Sequence, residues 1–128
     1  IPYIPIYMRI CAYTRASIDD LDTRYTRGEM MREKEVEQYL VSEVRKAGGK
    51  AYKFVSPGNT GVPDRIAVFP GGKIYFVELK APGGKVRPQQ AARFAELGRR
   101  GCKVWVLDSK LAVDGFLKKY GELENNGV

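Results

Sequence analysis

Between residues 32 and 47 the hydrophobic positions recur at helical spacing. Val36, Leu40, Val44 and Ala47 share one face of a helical wheel, and Gly48-Gly49 follows as a stop signal. Glu33 and Glu37 fall on that same face, whereas Glu35 points the opposite way. A carboxylate on a core-facing stripe either sits at a wet rim or has a partner. Beyond Gly49 the reading changes from helix to strand. Residues 50–55, 64–69 and 73–80 read as strands, the last two joined through Pro70-Gly71-Gly72 as an antiparallel hairpin. Pro88 suits the first turn of a helix reaching about Gly98, with Gln90, Phe94 and Leu97 on its inner stripe. Residues 102–107 form a buried strand, and Ser109 caps a last helix with Ala112, Val113, Phe116, Leu117 and Tyr120 inward. The order α-β-β-β-α-β-α predicts an α/β fold, a mixed sheet flanked by helices.

Strand alternation places Glu78 and Lys80 on one face with Ile74 and Phe76, and Asp64 on one face with Ile66 and Val68. For Asp64 to meet Glu78 across the hairpin, paired residue numbers must sum to an even value. A two-residue Gly71-Gly72 loop would pair 70 with 73 and separate the carboxylates. An odd-numbered loop or a bulge is therefore expected. The plainer alternative is a salt bridge between Glu78 and Lys80 on an exposed sheet face. That alternative leaves unexplained why a strand reading Ile-Tyr-Phe-Val ends in charges on its apolar side.

Composition narrows the function classes. The chain has 128 residues, enough for one domain with a real core, and carries a net charge of +7. Residues 1–30 hold equal numbers of basic and acidic side chains, so the whole excess lies in 31–128. Such a basic part suits a polyanionic partner, through counterion release from phosphates; a solvated basic surface would look the same. There is no histidine, which removes many catalytic centres. Cys11 and Cys102 make neither a disulfide framework nor a zinc site, and no stretch approaches membrane-spanning length. A cytoplasmic setting is the default. Residues 1–30 read as an extension of unknown role, 31–121 as the domain, and 122–128 as a tail.

Gly61-Val62-Pro63-Asp64-Arg65 followed by Glu78-Leu79-Lys80 is the chemical signature. Hydrolysis of a phosphodiester needs charge neutralisation, an activated water and help for the leaving oxygen, all of which Mg²⁺ or Mn²⁺ on oxygen ligands can supply. Asp64, Glu78 and the backbone carbonyl of Leu79 are the candidate ligands. Lys80 would position or deprotonate the attacking water, and Glu37 could add a further ligand. Gln90 could hold a phosphate oxygen or orient Lys80. Arg65, Lys85 and Arg87 flank these positions and could grip a nucleic-acid backbone. Neither glycine-rich segment matches a nucleotide-binding loop.

With these motifs, roughly residues 31–121 resemble the VRR-NUC domain, a branch of the PD-(D/E)xK nuclease superfamily, closest to its stand-alone phage and bacterial members. The resemblance implies an α-β-β-β-α-β core, divalent-metal dependence and structure-selective cleavage of DNA, at branched substrates such as Holliday junctions, by a homodimer. It places Asp64, Glu78 and Lys80 at the catalytic triplet and Gln90 at the family's glutamine. Counting back from Gly48 selects Glu37 as the first-helix acid, with Glu33 as the fallback. A non-catalytic branched-DNA-binding module is the alternative, as is a restriction-like, flap- or RNA-cutting enzyme on the same core.

Overall fold

The computed structural model describes residues 32–126, with side chains described to residue 119. Residues 1–31, Cys11 among them, the side chains of residues 120–126 and the chain end at 127–128 lie outside the described residues.

Helix α1 (Glu33–Lys46) buries Val36, Leu40 and Val44, one per turn. Its acidic first turn and basic last turn complement the helix dipole. Ala47, assigned to the buried face from sequence, is instead the exposed C-cap. Strand β1 (Lys50–Lys53) stops short of residue 55 and turns only Ala51 into the core. Beyond it, the Phe54 N–H still donates to the Asp64 carbonyl at 2.9 Å, so the two segments run together for one more step.

Strands β2 (Arg65–Phe69) and β3 (Lys73–Leu79) form the expected hairpin. Phe69 pairs with Lys73 and Arg65 with Val77, so the register sum is even and the connection is the three residues 70–72. Gly71 and Gly72 both adopt positive φ, at 87° and 76°. Two consecutive left-handed residues are a conformation that side-chain-bearing residues resist, which is why glycines occupy the bend.

Helix α2 (Pro88–Arg99) crosses from β3 to β4 (Val104–Leu107), which lies parallel to β3; α3 (Lys110–Asn126) closes the order. The sheet runs β1-β2-β3-β4, with two antiparallel pairs followed by one parallel pair. Ser109 Oγ accepts from the Ala112 N–H at 3.0 Å, as an N-cap should. The helix continues past residue 121 and takes in the start of the presumed tail.

Helices α1 and α3 cover one face of the sheet, over Ala67, Phe69, Tyr75, Val77, Leu79, Trp105 and Leu107. Trp105 and Phe116 meet edge to face at 5.2 Å in this core. Helix α2 covers the other face with Phe94 over Val104 and Val106. The deeper core therefore lies opposite the face expected from sequence. Tyr75, Val77 and Leu79 are buried, whereas Ile74, on the face of Glu78, is 54% exposed. A strand covered on both sides hides its inner face from simple alternation. Among the described residues no helix is long and apolar enough to cross a membrane.

Candidate active site

Asp64 immediately precedes β2, and the hairpin register carried one step outward sets it opposite Glu78. One carboxylate oxygen, Oδ2, accepts from the Leu79 N–H at 3.0 Å, which fixes the side chain against β3 and leaves Oδ1 to face other partners. The loop leading to Asp64 is held close to α2. At Gly61, whose φ is +87°, an added Cβ would lie 2.7 Å from the Gln89 carbonyl oxygen. Arg93 Nε donates to the Thr60 carbonyl at 3.1 Å and fastens the same loop from further along the helix. Pattern reading from sequence did not single out Arg93; its place one turn beyond Gln90 on α2 was the available signal.

Glu78 is 1% exposed, and its Oε2 accepts from Gln90 Nε2 at 2.8 Å and pairs with Lys80 Nζ at 3.2 Å. Gln90 Oε1 in turn accepts from Lys80 Nζ at 2.9 Å and from the Arg87 backbone N–H at 3.0 Å. The amide orientation follows from its neighbours, because an ammonium only donates and a carboxylate only accepts. Gln90 is 7% exposed at the start of α2, so its inward stripe position is what brings an amide between the two charges.

For the first-helix acid the geometry favours the fallback, Glu33. Glu33, Asp64 and Glu78 bring one carboxylate oxygen each within 4.8 Å of one another, and Glu37 is not among them. Glu37 Oε2 instead accepts from Arg65 Nε at 2.8 Å. One helical turn is about 5.4 Å, so a shift of four residues moves the carboxylate from the end of the sheet to its face. Glu33 heads the first turn and meets Asp64 and Glu78, whereas Glu37, one turn on, meets Arg65 of β2. Arg65, being next to Asp64 on a strand, points to the opposite face. Its Nη1 donates to the Ala51 carbonyl at 3.1 Å, so it is engaged within the fold rather than aimed outward beside Asp64. Lys85 and Arg87 are exposed on the segment entering α2, with Arg87 as its N-cap.

Comparison with known proteins adds to this geometry. A family model describing the VRR-NUC domain matches residues 11–111. The chain belongs to the VRR-NUC family. The match begins inside the segment 1–30. "Putative nuclease p44" of Acyrthosiphon pisum secondary endosymbiont phage 1 is 58% identical over 81 residues, which span 63% of this chain and 87% of that protein. A solved structure described as a VRR_NUC domain aligns with a TM-score of 0.65 and 31% identity, over 69% of this chain and 96% of its own. The mixed four-stranded sheet with flanking helices is thus a restriction-endonuclease-like fold.

In this VRR-NUC chain the carboxylates suit a divalent cation on their own chemistry. All three offer hard oxygens, and Glu78 Oε1 is buried with no hydrogen-bond partner. Without a cation, burial first and the Asp64 charge second, opposed by Lys80, push the Glu78 carboxyl up to about 7. A group so displaced is one that a cation relieves.

Proposed function

We propose that the protein is a Mg²⁺- or Mn²⁺-dependent endonuclease that hydrolyses phosphodiesters in branched DNA, such as Holliday junctions, and works as a homodimer in the cytoplasm of a bacterial or phage-infected cell. The observation that carries the reading is the convergence of Glu33, Asp64 and Glu78 on one point with the Lys80 ammonium against Glu78. A module that only bound DNA would gain nothing from acids facing phosphate. Family membership and the name of the phage relative support nuclease activity. Preference for branched substrates and dimerisation rest on the family resemblance.

Glu33, Asp64 and Glu78 would hold the cation, with the Leu79 carbonyl adjacent in the chain. The cation would supply charge neutralisation at the phosphate and acidify a water. Lys80 Nζ spends two of its three N–H donors on Gln90 Oε1 and Glu78 Oε2. The third is available to orient the attacking water or a non-bridging phosphate oxygen. Gln90 and Glu78 together keep that ammonium in place. Lys85 and Arg87 sit where they would hold the DNA backbone. Arg65, tied to Glu37 and Ala51, would take no such part.

The test is incubation with labelled Holliday junction, flap and linear duplex in Mn²⁺, Mg²⁺ or EDTA. Junction cleavage with metal alone is the expected result. Binding of junctions without cleavage in either metal would leave only the binding-module reading.

A further inference from the structure

Arg65 joins three elements through one planar group. Its Nε donates to Glu37 on α1 at 2.8 Å, its Nη1 donates to the Ala51 carbonyl on β1 at 3.1 Å, and its own backbone belongs to β2. Both partners of the ion pair are largely shielded, with side chains 19% and 24% exposed. Each also neighbours a member of the carboxylate cluster. Arg65 follows Asp64 directly in the chain, and Glu37 stands one helical turn after Glu33 on the same side of α1. The fork therefore spans the two elements whose spacing decides whether Glu33 meets Asp64.

The hydrophobic anchors of α1 do not by themselves set that spacing finely. Glu33 is an exposed residue in the first helical turn, beyond the first buried anchor at Val36. Apolar contact is non-directional and permits a helix to roll or slide by fractions of an ångström, whereas a two-point guanidinium bond is directional. The pair also neutralises Glu37, so that this carboxylate adds no further negative charge beside three already crowded ones.

We propose that the Arg65–Glu37 pair is a positioning strut that tunes the cation affinity of the Glu33–Asp64–Glu78 cluster; this rests on the function proposed above. Mn²⁺ binding to the full chain is measured by titration calorimetry, alongside melting in EDTA. Arg65→Ala and Glu37→Ala weaken Mn²⁺ binding by roughly tenfold to a hundredfold, the usual effect of removing a group that orients a ligand. Arg65→Lys weakens it nearly as much, because an ammonium lacks the fork that serves both acceptors at once. This milder variant carries the test should the alanine proteins fail to fold. Tyr39→Phe serves as the control, since it removes another polar tie of α1, the 2.7 Å bond from Tyr39 Oη–H to Asp114, away from the cluster. It lowers the melting temperature and leaves Mn²⁺ affinity unchanged. Folded Arg65 variants that bind Mn²⁺ within about twofold of the parent overturn the strut and leave the nuclease reading standing. A parent protein that neither binds Mn²⁺ nor cuts junctions overturns that reading, and the strut with it.

Discussion

Gln90 donates from Nε2 to Glu78 Oε2 at 2.8 Å while its carbonyl oxygen receives the Lys80 ammonium at 2.9 Å. One neutral side chain thus bridges an acid and a base that also pair directly at 3.2 Å. Gln90→Glu replaces the donor with a second carboxylate beside a buried one, which repels it and raises the proton affinity of Glu78 further. Nuclease turnover at neutral pH should fall by about a hundredfold in Gln90→Glu and about tenfold in Gln90→Ala, whose Lys80 still has Glu78. Single-turnover cleavage rates check both values. The alanine protein should keep its junction affinity in EDTA.

The acids of the cluster should separate from the scaffold. Glu33 is exposed and contributes little to the core, so Glu33→Gln should cost at most about 1 kcal/mol of stability through the lost helix-dipole interaction. Its Mn²⁺ affinity should nonetheless drop by at least tenfold. Denaturant melts in EDTA and Mn²⁺ titration measure the two quantities on the same sample. An unchanged Mn²⁺ affinity would remove Glu33 from the ligand set.

Glu78 gives a pH dependence with a definite sign. Its carboxyl titrates near 7 in the folded, cation-free protein against an ordinary value of 4.5, so the folded state holds a proton that the unfolded chain releases. Stability from this source is fully present below pH 4.5 and is lost as pH rises through about 7. The whole span is worth about 3 kcal/mol, at 1.36 kcal/mol per unit. Cation-free protein should therefore melt at a lower temperature at pH 8 than at pH 5.5, and Glu78→Gln should flatten that difference. Cation binding must displace the same proton, so Mn²⁺ affinity should rise with pH up to about 7 and then level off.

Gly61→Ala probes how the Asp64 loop is seated. The substitution imposes a positive φ on alanine and drives a methyl to 2.7 Å from the Gln89 carbonyl oxygen. A loss of about 2 kcal/mol in stability is expected, from the backbone strain and the forced shift together. Because Gln89 and Gln90 are the atoms displaced, cleavage should fall more than global stability alone accounts for. Chemical denaturation and cleavage rates at a temperature well below the melt distinguish the two.

Much of the fold was legible in the chain because its signals are local. The Val36-Leu40-Val44 spacing, Pro88 at a helix start, Ser109 at a cap and the odd-length Pro70-Gly71-Gly72 bend each depend on a few neighbouring residues. The meeting of Asp64 with Glu78 comes from the chemistry and demands an even register, which the odd-length bend supplies. The choice between Glu33 and Glu37 has no such constraint, since both lie on one stripe and only the height of α1 against the sheet separates them. That height is set by long-range packing, which periodicity does not encode. The same holds for Arg65, whose basic charge suggested a phosphate when its strand face sends it to Glu37.

The bend at residues 70–72 lies at the far end of the hairpin from the carboxylates, yet the strand register it closes has authority over them. A slip of β3 by a single position against β2 would turn Glu78 to the side of the large core and Tyr75, Val77 and Leu79 toward the helix α2 side. Hydrophobic burial and catalytic geometry would fail in the same stroke. A lineage whose hairpin slipped in this way would have no half-working intermediate to improve upon, so strand register here behaves as a shared inheritance of core and chemistry.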